Sequence, residues 1–123
     1  MKAQVYYSKT VSPETLIKIY EALKTDLPGK VGVKVSTGEA GAKGYLKADL
    51  IAPLVQKLNG TIIECNTAYA GERTEAEAHR KVAADHGFTS FADVDILDEN
   101  GDFEVPVKNG KHLKYTQIGR AHV

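Results

Sequence analysis

The chain has 123 residues, 16 basic and 16 acidic, a formal net charge of zero and 42% hydrophobic residues. That apolar share can fill a core in one small domain or in the first lobe of a larger one, which excludes a disordered tail. The charge balance excludes the basic footprint of a nucleic-acid or anionic-membrane binder, and no apolar run is long enough to span a bilayer.

From the N-terminus, Met1-Lys2-Ala3-Gln4-Val5 shows no apolar signal stretch. The single cysteine suits a reducing compartment, so the expected location is cytoplasmic. Ala3 to Ser8, rich in valine and tyrosine, predicts a first strand. Ser12-Pro13 then has the form of a helix N-cap followed by proline at the first helical position. Leu16, Ile17, Tyr20 and Leu23 give that helix one apolar face, and Pro28-Gly29 is expected to end it. Val31 to Val35 predicts a second strand, followed by the glycine-bearing loop Ser36 to Gly44.

A second helix is expected through Leu50, Ile51, Leu54, Val55 and Leu58, stopped by Asn59-Gly60. Pro53 fits it best if Asp49 is the cap and the proline lies in the opening turn. Thr61 to Cys65 predicts a third strand, and Asn66 to Arg73 a polar loop. Thr74-x-x-Glu77 has the form of a capping box opening a third helix, which ends at His86-Gly87. Ala92 to Ile96 predicts a fourth strand. Asp98 to Asp102 reads as a turn into Phe103 to Val107, paired as a hairpin.

Alternating strands and helices predict an α/β fold with a mainly parallel sheet and a C-terminal hairpin, the first three helices lying against the sheet. Ligands in such folds bind beyond the carboxyl ends of the strands. That rule nominates Ser36, Thr37, Gly38 and Glu39 in one loop and Asn66, Thr67, Tyr69 and Arg73 in the next.

Each candidate has a plainer alternative. The loop from Ser36 to Gly41 can cradle an anion with its backbone N–H groups. It lacks the lysine of a P-loop, and Glu39 would repel phosphate, so an unliganded connection is the plainer reading. Cys65 reads as a buried thiol at a strand end before it reads as a nucleophile or a metal ligand. His79 and His86 share a helix face but stand two turns apart, which suits partly exposed histidines better than metal ligation. Asp93 and Asp95 share a strand face, and with Asp98 they can be read as a hard-cation site or, more simply, as turn chemistry.

The last six residues, Ile118 to Val123, read back through the genetic code as ATC GGA AGA GCA CAC GTC, a run found in a common sequencing adapter. Gln117 as CAG completes the junction. The expectation is therefore a native N-terminal α/β domain over residues 1–116, an adapter-derived tail over 117–123, and a native gene that continues further.

VYYSK at Val5–Lys9, KVSTGE at Lys34–Glu39, YLK at Tyr45–Lys47, ECNTAY at Glu64–Tyr69, DHGF at Asp85–Phe88 and GKHLK at Gly110–Lys114 occur in that order. Together they resemble the amino-terminal part of the bacterial proteins called domain of unknown function 362, often labelled uncharacterised Fe-S centre proteins. The resemblance covers residues 3 to 116. It implies an iron-sulfur cluster held in a C-terminal part beyond this chain, with redox or electron transfer by the intact protein and a redox partner. A thiolate-held cluster takes about four cysteines, and Cys65 stands alone, so none is expected on this chain by itself.

The alternative function is an enzyme acting on a small anionic metabolite in a cleft between the two loops. There Glu39 or Glu64 would serve as acid or base, and Arg73 would clamp a carboxylate. A third reading is a small stand-alone binding module. No nucleic-acid or membrane partner is expected in any of the three.

Overall fold

The computed structural model describes residues 3–99. Its elements are α1 (Pro13–Leu23), β1 (Gly32–Lys34), α2 (Ala48–Lys57), β2 (Thr61–Glu64), α3 (Ala76–Asp85), a single 3-10 turn (Phe88–Ser90) and β3 (Val94–Ile96). The strands form a parallel sheet in the order β1-β2-β3, with Val33 opposite Ile62 and Ile62 opposite Val94. The α/β class with a parallel sheet is therefore the observed one. The hairpin expected at Phe103 to Val107 lies outside the described residues.

Two successive right-handed crossovers in one direction place α2 and α3 on the same face of the sheet. The core sits there. Ile51 and Val55 of α2, Ala83 of α3, Ile62 of β2 and Phe88 of the 3-10 turn form one buried cluster, with Val33 and Val94 packed against it. Burying each large apolar side chain contributes about 1.5–3 kcal/mol relative to exposure. On the other face Lys34 is exposed and Ile63 half-buried, and Ile63 leans across Gly32 so closely that a Cβ there would meet it at 2.8 Å.

Four local expectations are corrected. Ala3 to Ser8 forms no strand: it is irregular, with Val5 and Tyr7 exposed. Strand propensity needs a neighbouring ladder to become a strand, and none flanks this segment among the described residues. Helix α1 does begin at the Ser12 cap, whose Oγ accepts from Thr15 N. It stops at Leu23, however, because Lys24 takes a left-handed conformation (φ 50°) and donates its N–H to Glu21 O. This helix packs mainly on α2, and its Leu16 reaches the core cluster.

Helix α2 is capped by Lys47, not Asp49, so Pro53 falls inside it. The proline has no N–H to give the Asp49 carbonyl. Helix α3 is capped by Glu75, without a side-chain bond. Thr74 instead closes a turn, its Oγ1 donating to Gly71 O and accepting from Gly71 N. The C-terminal end of α3 follows expectation, with His86 as cap and Gly87 at φ 88°.

Candidate functional site

Polar chemistry gathers at the carboxyl edge of β1 and β2. Alternation along β2 buries Ile62 and Glu64 on the same side, so a carboxylate points into the core and must find partners. Glu64 Oε1 accepts from Arg73 Nη1 at 2.5 Å, and Oε2 accepts from Thr37 N at 2.8 Å. His79 Nε2, with no solvent exposure, donates to Oε2 at 3.1 Å, and Thr37 Oγ1 lies 3.3 Å from the same nitrogen. Burial pulls the Glu64 carboxyl up, but hydrogen bonds from His79 and Thr37 outweigh it and hold the group below the usual carboxylate range.

Arg73 ties this buried cluster to the surface. Its guanidinium is buried, and the Nε and Nη2 atoms donate to Glu39 Oε1 at 2.9 and 2.5 Å. The Tyr69 hydroxyl donates to the same oxygen at 2.7 Å. Desolvation acts to lower Arg73, yet the hydrogen bond to Glu39 and the charges of Glu64 and Glu39 hold it above its ordinary value. Hydrogen bonds from Arg73 and Tyr69 in turn hold Glu39 below the carboxylate range. The loop after β1 and the loop after β2 are thus bound through one guanidinium.

Beside this link lies a cleft of about 360 Å³, lined by Ser36, Gly38, Glu39, Tyr45, Tyr69 and Arg73 among others. One wall is fixed by Tyr45. Its ring stacks on His86 at 4.0 Å between centroids, and Lys47 Nζ sits 3.6 Å from the same ring's centre. Two partners this close must occupy opposite faces of the ring, so the ring cannot offer a ligand either face. His86 Nδ1 donates to Thr37 O at 2.7 Å, which secures the loop below. A larger depression, about 670 Å³, lies at the opposite edge of the sheet beside Lys30, Asn59 and Asp93. None of the buried polar side chains lines it, and it stands at the amino ends of the strands, away from where α/β sheets bind ligands.

The eight residues nominated from sequence therefore divide. Glu39, Tyr69 and Arg73 meet at the cleft, with Ser36 Oγ accepting weakly from Arg73 Nη1 at 3.4 Å. Gly38 is buried beneath Tyr45 and takes φ 85°. Thr37 is fully buried and supports Glu64. Asn66 faces inward, its Oδ1 3.1 Å from His79 Nδ1 and its N donating to Asp98 Oδ1. Thr67 donates from Oγ1 to Tyr69 O, shaping its own turn. Of the two carboxylates with acid-base potential, only Glu39 reaches the cleft, because both Glu64 oxygens are engaged.

His79 was expected to be partly exposed and is instead fully buried. It does share a face with His86, since both reach Thr37. The Asp98 carboxylate accepts from the Asn66 backbone N–H, and among the described residues no group of three or more His, Cys, Asp or Glu side chains is placed to hold a metal ion.

Iron-sulfur ligation does not fit these residues. The chain has one cysteine. Burial pushes the Cys65 thiol up, Asp98 and Glu64 add to the rise, and Lys34 opposes it. That environment disfavours a free thiolate at this position.

These features define an α/β domain whose polar groups converge at the carboxyl edge of a parallel sheet. The model of the family described as Domain of unknown function (DUF362) matches residues 31–123, three quarters of the chain. The chain belongs to that family. No curated protein and no solved structure matches it. Among the described residues no helix is long and apolar enough to cross a membrane.

Proposed function

We propose that this domain binds a small anionic metabolite, one bearing a carboxylate, in the cleft between the loops after β1 and β2. The observation that carries the reading is the convergence of Arg73 Nε, Arg73 Nη2 and the Tyr69 hydroxyl on a single carboxylate oxygen at the cleft. Charge-assisted donors set in one direction are the ordinary means of holding a carboxylate. Here the donors are pre-positioned, because Glu64 grips the far side of the guanidinium. The cleft volume is in the range of small-molecule sites. The iron-sulfur redox reading draws no support from Cys65, so the metabolite reading is preferred.

The test is thermal stabilisation of the full chain by succinate, with putrescine as a cationic counterpart. Succinate should raise the melting temperature and putrescine should not. Tyr69→Phe, which removes one of the three donors, should weaken the succinate effect. Stabilisation by putrescine alone would overturn the reading, since it would make the cleft a cation site centred on Glu39.

A further inference from the structure

Glu39 differs from the buried members of the network, as the 59% exposed Tyr69 also does. Thr37, Glu64, Arg73 and His79 are buried, whereas the Glu39 side chain is 38% exposed. Its Oε1 takes three donors, while Oε2 has no hydrogen-bond partner among the described residues. The loop that carries it is also permissive. Gly41 takes φ 72°, and a Cβ added at Gly41 or Gly44 would meet nothing within 4 Å. The loop is pinned at its start, where Thr37 bonds to Glu64 and His86 and Tyr45 lies over Gly38; past Glu39, one turn bond from Ala42 N to Glu39 O holds it among the described residues.

We propose that Glu39 is the chain's own occupant of the Arg73–Tyr69 clamp, and that a carboxylate ligand enters by displacing it. The inference rests on the anion-binding reading of the cleft and adds a mechanism of control to it. Arg73 stays in place throughout, because its bond to Glu64 is buried on both sides. The donors freed when Glu39 swings into solvent are the ones the ligand takes up, so the number of hydrogen bonds is conserved across the exchange. Glu39 is tethered beside the clamp and therefore competes at a high effective concentration. The apparent affinity of wild type is reduced by the fraction of molecules in which the clamp is open.

Succinate is titrated calorimetrically into the full chain, as wild type, Glu39→Ala and Glu39→Gln, each first shown to melt cooperatively. Removing a carboxylate from an ordinary cation site weakens it, but here Glu39→Ala should bind succinate about tenfold or more tightly than wild type. Glu39→Gln keeps an amide oxygen that accepts from Arg73 and should gain less. Equal affinity in wild type and Glu39→Ala would overturn the displacement and leave the cleft reading standing. Weaker binding in Glu39→Ala would also overturn it, making Glu39 a ligand contact. Binding to none of the three forms would overturn the cleft reading and the displacement together.

Discussion

His79 Nε2 stands 3.1 Å from Glu64 Oε2, the ring wholly buried and the carboxylate side chain only 4% exposed. A charge so placed tolerates no loss of partners. The other Glu64 oxygen relies on Arg73, and truncating one member of a buried ion pair leaves the other charge uncompensated at a cost of about 3–5 kcal/mol. Arg73→Ala should therefore lose stability on that scale in urea unfolding. Glu64→Gln and Arg73→Met combined should lose less than the two single changes added, because the pair is coupled. An Arg73→Ala variant as stable as wild type would show that the buried pair does not exist.

Acid should loosen the site before it affects the rest of the fold. The folded-state value of Glu64 lies below its ordinary 4.5, so the unfolded chain binds its proton at higher pH than the folded chain does. The stability from this group is fully present above 4.5, and it is lost as pH falls through that value towards the lower folded one. Glu39 shifts in the same direction. Wild type should thus lose stability below about pH 4.5, the ordinary glutamate value, with a shallower loss in Glu64→Gln. Identical pH profiles for the two would remove Glu64 from the balance.

Gly38→Ala should destabilise the loop that carries Glu39. The position takes φ 85°, and a Cβ would stand 2.6 Å from that of Tyr45. Backbone strain of this kind costs about 1–3 kcal/mol. Because Tyr45 would have to leave its stack on His86, the change should also weaken succinate binding. Gly41→Ala shares the positive φ but meets no neighbour, and should cost less. Thermal melts of the two variants side by side decide between strain and crowding.

Cys65 should be slow to react. It is buried, and its thiol is pushed up by that burial and by Asp98. A thiol-specific disulfide reagent at neutral pH should modify native protein far more slowly than urea-unfolded protein. Equal rates would mean that the strand end is open to solvent.

The parallel layout was legible because Val31–Val35, Thr61–Cys65 and Ala92–Ile96 are short apolar runs separated by helical patterns. The N-terminal run Ala3–Ser8 has the same composition but not the neighbour that pairing needs, and composition cannot supply one. Asp49 looked a better cap than Lys47, yet the helix is positioned by burying Ala48, Ile51 and Val55 together, which outweighs a missing cap. Three of the cleft residues, Glu39, Tyr69 and Arg73, followed from the rule about strand carboxyl ends. The centre of the network was harder to see. Glu64 lies two residues past Ile62 and so points inward by alternation alone, a signal that a partner must exist. The partners come from a loop residue 9 positions on and a helix residue 15 positions on. His79 has Val82, Ala83 and His86 at helical spacing, which marks a core face. Only the packing of α3 on the sheet turns that face towards Glu64.

The central claim is that ligands meet this protein at Arg73 and Tyr69, and the Arg73 Nε–H resonance tests it most directly. In a succinate titration of the isotope-labelled full chain, that resonance should move saturably, together with the backbone amides of Glu39 and Tyr69. Those of Lys30 and Asn59 at the opposite edge of the sheet should stay still. Saturable shifts confined to Lys30, Asn59 and Asp93, with Arg73 unmoved, would contradict the account and place the binding site in the larger depression at the amino ends of the strands.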